Sequence, residues 1–406
     1  MREDSIIQVK QMANKKLHIA CYISIGLLGI YISIYQSVIN SISTQFALSK
    51  ASVGIIIALH FIGSITAPLI FGEISDRIGK KPVVVMSFGI LIAGLMAVYL
   101  FSSLFLTAAG IFLIGCGFAV IEGTLSGVLS DTNTGQSSRA ISMSQMFFSI
   151  GAVVGPMASL LLLRISGNWK AVFVPMILLF AVTLLYFIRL KSGEGLTVTG
   201  NRRKAGGKME LISIKLLKEK AFLLLIVSIF IYVGIEESVA FWINTYFIDL
   251  FNESKLGTYA LSGYWASMIL GRYLAGRFYT KRNLFLKGGL LLSLFFIITA
   301  LLFKSSMLSL ICFVGAGLGF SAVWPAIMSR TADSYPEYTG TAMGIMMTAG
   351  AGGGMAIPFL TGAVASLTTI GIAFWILPVF IILILIIQKG EKNKAADPFC
   401  KPRSAC

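Results

Sequence analysis

The sequence predicts an all-α polytopic membrane protein, with twelve transmembrane helices arranged as two pseudo-symmetric six-helix bundles. Three observations predict it. The 406 residues are 56% hydrophobic and only 12% charged, with a mean hydropathy of +0.86, whereas a soluble domain carries about 25% charge. The apolar residues fall into twelve runs, each close to or above the roughly 20 residues a spanning helix needs. The second six runs also repeat the first: Gly155-Pro156 follows Asp131 as Ile357-Pro358 follows Asp333, an offset of 202.

The first six runs cover residues 17–43, 51–71, 82–101, 104–130, 140–163 and 171–189, and the second six cover 221–248, 256–278, 284–303, 306–329, 339–364 and 368–388. They are too long and too apolar for the alternating segments, about 10 residues each, of an outer-membrane barrel. The first run lacks a small-residue cleavage site and reads as a retained helix. The resulting organisation is an N-terminal bundle (1–190), a polar linker (191–220), a C-terminal bundle (221–390) and a tail (391–406).

An even number of helices puts both termini on one side. The loops on that side hold 27 Lys and Arg, and the opposite loops hold only Lys50, Arg164, Lys170, Lys255 and Lys304. The positive-inside rule therefore predicts a multi-pass protein of the cytoplasmic (inner) membrane with both termini in the cytoplasm. The net charge of +16 is thus a matter of topology, since no basic, aromatic-interleaved stripe suits nucleic acid. Among the five cysteines, Cys21, Cys116 and Cys312 lie inside apolar runs and Cys400 and Cys406 in the tail, without metal-ligand spacing. No phosphate loop, metal pair or Ser-His-Asp arrangement points to an enzyme, and no cofactor or metal is expected.

Ionisable residues at membrane depth are costly and by default functional. Glu122 lies nine residues before Asp131, about 13 Å from the helix end and near the midplane. Glu236 and Glu237 lie mid-run in the seventh helix, about 100° apart on its surface. Glu237 shares its stripe with Phe241 and Asn244, as its repeat-mate Gln36 does with Ser33 and Asn40; Glu236 shares a more apolar one. Glu237 is therefore expected to face a cavity and Glu236 to be a buried hydrogen-bonding partner. All three acids are candidate proton-coupling groups, Glu122 foremost. Candidate substrate-binding side chains are Tyr35, Gln36, Asn40, Gln145, Trp242, Asn244, Tyr264, Trp265 and Trp324, the last superposed by the repeat on Glu122. Arg272, six residues before the end of its run, reads as snorkelling to the interface, and His60 as a satisfied buried histidine. Met343, Met346 and Met347 beside Gly350–Gly354 read as packing surface and hinge.

Between the second and third runs stands Gly72-Glu73-Ile74-Ser75-Asp76-Arg77-Ile78-Gly79-Lys80-Lys81. Glycines permit close approach and a tight turn, and a fixed carboxylate can meet the N-terminal end of a neighbouring helix. These residues resemble the G-x-x-x-D-R-x-G-R-(R/K) loop motif of the major facilitator superfamily, departing only at Lys80. The second half keeps Gly276-Arg277 and Lys281-Arg282, with Thr280 in place of the acid. The resemblance implies a secondary transporter that alternates between inward-open and outward-open states, with Gly72, Asp76, Arg77, Gly79, Lys80, Lys81, Asp131 and Arg139 as its gating set. Arg77 is expected to pair with Asp131 in the outward-open state, and Asp76 to face the helix start near Gly340 and Thr341.

The stretch from Val120 to Ser126 is similar to the acid-bearing fourth helix of the fucose, galactose and glucose:proton symporter branch, although Gln36 and Ser37 replace the acid of the first helix. This implies proton-coupled uptake of a sugar or similar polar solute by a monomer whose partners are the solute, protons and the bilayer. The alternative is a proton-coupled multidrug efflux antiporter, suggested by Gly151-Ala152-Val153-Val154-Gly155-Pro156. A receptor or scaffold on this fold has no reason to bury three acids.

Overall fold

The structure is a computed structural model that describes residues 2–48, 50–190 and 212–390, for the backbone alone at 2–14, 40, 50–54, 156, 160, 254, 389 and 390. Residues 191–211 of the expected linker and the tail 391–406 lie outside the described residues. The N-terminal half consists of α1 (Arg2–Gln45), α2 (Lys50–Ile78), α3 (Lys80–Leu100), α4 (Leu104–Thr132), α5 (Ser137–Ser166) and α6 (Phe173–Arg189). A short helix, α7 (Ile212–Leu217), stands inside what the sequence reads as linker. The C-terminal half consists of α8 (Lys220–Phe251), α9 (Ser254–Arg277), α10 (Arg282–Leu302), α11 (Ser306–Phe320), α12 (Val323–Ser334), α13 (Thr339–Leu367), α14 (Ile370–Ala373) and α15 (Ile376–Gly390).

Eleven helical segments among the described residues are long and apolar enough to cross a membrane. The twelfth expected span is α9, whose 24 residues reach about 36 Å but include Ser262, Tyr264, Ser267 and Arg272. The tenth run is one span built from two helices. Pro325 has no N–H and would clash with the carbonyl one turn back, so α11 stops at Phe320 and α12 starts at Val323.

Packing repeats between halves. α1 lies on α5 as α8 lies on α13, α2 on α4 as α9 on α11, and α3 on α4 as α10 on α11; across the boundary α2 meets α13 and α5 meets α9. Each half encloses its own core. Phe88 stacks on Phe187 in the first, and Tyr246 stacks on Phe374 in the second. The outer faces are apolar and uncovered, as bilayer contact requires. On α6, Met176, Phe180, Thr183 and Phe187 are buried, while Leu178, Val182 and Leu185 are exposed, an i, i+4 alternation of faces.

The halves close on each other at the end that carries the Gly72–Lys81 loop. A Cβ on Gly72 would stand 2.7 Å from the Gly340 carbonyl, so only glycine lets α2 and α13 cross there. Gly79 has φ +97°, the left-handed turn that separates α2 from α3.

Candidate functional site

The same closed end holds the charged loop. Asp76, 4% exposed, accepts the backbone N–H groups of Gly340 (3.0 Å) and Thr341 (2.7 Å) and the Thr341 hydroxyl (2.8 Å). A carboxylate thus meets the partial positive charge of the α13 N-terminus, in the place the sequence suggested. The expected Arg77–Asp131 pair is replaced. Arg77 reaches back one turn to Glu73 at 2.5 Å, and Asp131 is paired with Lys80, which also donates to Thr339 Oγ1 at 2.8 Å. The physical reason is position on the helix: Arg77 is still on α2 and points outward, whereas Lys80 opens α3 and is buried beneath α4. Lys81 donates to the Leu190 carbonyl at 2.6 Å, tying α3 to the end of α6. Arg139 is exposed where α5 crosses α9, its carbonyl 3.5 Å from the position a Cβ on Gly276 would take.

The repeat extends to this network. Arg282 opens α10 and pairs with Asp333 at 2.6 Å, and Ser137 of α5 donates to the same carboxylate at 2.6 Å. Lys80, Asp131 and Thr339 correspond to Arg282, Asp333 and Ser137 after a shift of 202, the Thr339–Ser137 match running from the second half back to the first.

Between the halves lies a cavity of about 420 Å³, within the range of roughly 300–1,000 Å³ for small-molecule sites. It is walled by the closed end below and reaches toward exposed Gln36, Met157 and Ser262 on the other side. Of the sequence-predicted residues, Glu122, Glu236, Glu237, Gln36, Gln145, Trp265 and Trp324 line it. Gln145 Nε2 donates to Glu122 Oε1 at 3.0 Å. Glu236 pairs with Arg272 at 3.2 Å. Glu237 turns its carboxylate to the cavity with no hydrogen-bond or ion-pair partner among the described residues.

Four predicted substrate residues do not line the cavity. Tyr35 donates to the Ile56 carbonyl at 3.3 Å and stacks on His60. Trp242 fills the space over Gly362 and donates to the Pro358 carbonyl at 3.0 Å, joining α8 to α13. Asn244 packs against Gly257 of α9. Tyr264 is fully buried, its hydroxyl donating to the Glu236 carbonyl at 3.4 Å. The Asn40 side chain lies outside the described residues.

Two residues that the sequence reading set aside belong to the wall. Arg272 does not snorkel. It is 2% exposed and crosses the boundary between the halves, where Nη1 donates to the Gln145 carbonyl at 3.1 Å and to Ser149 Oγ. His60 is not a satisfied histidine: it lines the cavity, Nε2 has no partner among the described residues, and Tyr31, Tyr35, Phe61 and Phe118 surround the ring. A lone charge and a lone imidazole in apolar runs were the available signals. Phe61, Phe118 and Phe148 of the apolar wall gave none, and Met346 and Met347, which read as packing surface, line the cavity as well.

Residues 21–358 and 256–394 match the Major Facilitator Superfamily profile. A Helicobacter pylori protein named "Putative glucose/galactose transporter" is 24% identical over 74% of this chain and 77% of its own length. The crystal structure of the transporter FucP in the outward conformation superposes with a TM-score of 0.79 at 15% identity, covering 92% of this chain and 98% of that one. The proton:xylose symporter XylE superposes at 0.77 with 14% identity, over 94% and 96%. Fold, motif and profile agree: the chain belongs to the Major Facilitator Superfamily, whose members named here are transporters.

Proposed function

We infer that this membrane transporter takes up a sugar or similar polar solute together with protons, by alternating access, with both termini in the cytoplasm. One observation carries the reading. Glu122 is buried in the cavity wall on Gln145, and the backbone carbonyl of the same Gln145 receives Arg272 from the opposite half. A proton gained or lost at Glu122 therefore changes the charge at a point where the two bundles are tied across the cavity.

The lining supports a polar solute. Gln36, Gln145 and Ser262 bring amide and hydroxyl groups to the lining, and Trp265 and Trp324 bring aromatic rings, a mixture suited to a sugar's hydroxyls and C–H face. The relatives named for glucose, galactose and xylose point the same way. With the basic loops inside, the closed Gly72–Lys81 end is the cytoplasmic one and the conformation is outward-facing. The glycines that suggested efflux pack α5 on α1: Cβ atoms on Gly151 and Gly155 would run into Gly26 and Ser33.

The test is uptake of labelled monosaccharides into proteoliposomes under an imposed inward proton gradient. Wild type is expected to accumulate one of them above equilibrium, and Glu122→Gln to exchange it without accumulating it. Accumulation that ignores the gradient, or full accumulation by the variant, removes the reading.

A further inference from the structure

Three carboxylates and one guanidinium line the cavity, and they are unequally provided for. Arg272 is committed: Nη2 to Glu236, Nη1 to the α5 backbone and Ser149. The remaining Nε is buried without a partner among the described residues. Glu236 thus has its countercharge and Glu122 its amide. Glu237 has neither. Its Cγ stands 3.3 Å from where a Cβ on Gly354 would be, and the Phe61 ring stands 3.5 Å from the same point, so the carboxylate sits at the seam between α8, α13 and α2. Its repeat-mate Gln36 is also a lining residue, on α1.

We propose that Glu237 is the recognition point for a protonated amine on the transported solute, so that the preferred substrate class is an amino sugar rather than a neutral one. The proposal rests on the polar-solute reading above and narrows it. A carboxylate that faces a largely apolar cavity is costly unless it takes up a proton or meets a countercharge. A neutral hydroxyl supplies one hydrogen bond and no countercharge, whereas an ammonium supplies both in one charge-assisted contact. Arg272 cannot stand in, because turning to Glu237 would strip Glu236 and release α5. An anionic solute would add a negative charge to a cavity where acids already outnumber the lone guanidinium.

The rest of the wall fits the same ligand. The rings of Trp265, Trp324 and Phe61 line the cavity, and aromatic rings take both a sugar ring and a cation. Gln36 on the opposite side can take the hydroxyls. A cavity of about 420 Å³ accommodates a hexose-sized ring together with water.

The experiment is a ligand series on the intact purified protein, read by isothermal titration at a pH where the amine is protonated, with glucosamine, N-acetylglucosamine and glucose as probes. The ring is shared and only glucosamine carries the charge. Glucosamine is expected to bind roughly tenfold or more tighter than the other two. Glu237→Gln, checked for a monodisperse elution profile, is expected to lose that preference, and Glu237→Asp to keep part of it. Equal or tighter binding of glucose or N-acetylglucosamine by wild type overturns the amine assignment and leaves the sugar reading standing. A preference that survives Glu237→Gln overturns the assignment to this residue. Failure of all three sugars to bind overturns both readings.

Discussion

Lys80 and Arg282 stand 202 residues apart and make the same contact in opposite halves. Each opens the third helix of its bundle, pairs with the acid near the end of the fourth, and shares that acid with a hydroxyl from the other bundle. The two latches are not equal. Lys80 is 5% exposed and stands beside the Asp76–α13 contact, whereas Arg282 is more open to solvent and Thr280 replaces the neighbouring acid. Lys80→Gln is therefore expected to open the closed end markedly and Arg282→Gln only slightly. Spin-label distances between α2 and α13 ends, and between α5 and α9 ends, measure this. An equal response to the two substitutions would show that the latches are interchangeable.

Asp76→Asn tests the helix-terminus contact by itself. The amide can keep a hydrogen bond to Gly340 or Thr341 but not the charge that faces the α13 N-terminus, an interaction of up to about 2 kcal/mol in partly buried settings. The expected result is a shift of roughly tenfold toward the state open at this end. It is measured by thiol labelling of a cysteine placed in the α2–α13 seam. Unchanged labelling would place the energy of closure elsewhere.

Arg272 and Glu236 are both buried, so removing one partner leaves an uncompensated charge, which costs about 3–5 kcal/mol, while removing both can be nearly neutral. Arg272→Leu is expected to lower the apparent Tm clearly and the double variant Arg272→Leu with Glu236→Gln to recover most of the loss. Arg272→Lys should not rescue, because an ammonium cannot reach Gln145, Ser149 and Glu236 from one planar fork. Additive losses in the double variant would mean that the pair is not coupled.

Gly353 lies where α13 presses on α8. An added Cβ would stand 1.8 Å from the Phe230 carbonyl, a backbone atom that cannot swing aside. Gly353→Ala is expected to destabilise by about 1–3 kcal/mol, whereas Gly89→Ala, with nothing within 4 Å, should be neutral or slightly stabilising. Comparing apparent Tm values of the two variants against wild type decides it, and equal values would mean that α8 and α13 have slack.

By itself the sequence determined the solvent, the helix count and the repeat, because each is a one-dimensional property: a 20-residue apolar run must be satisfied internally in lipid, and a duplicated bundle leaves a fixed offset. It also marked Glu122, Glu236 and Glu237, since an acid in an apolar run is legible without coordinates. The linkage of Asp76 to Gly340 followed from a motif whose chemistry is local. Only the tertiary structure decided which side chains share the cavity. Trp242 and Tyr264 have the composition of ligand residues but found backbone carbonyls to donate to, whereas Arg272, near its helix end, turned inward because Glu236 and the α5 carbonyl lay within reach. The choice of Lys80 over Arg77 for Asp131 has the same origin. A side chain's direction is set by the rotation of its helix and by the neighbour packed against it, and neither is written in the spacing of residues along one chain.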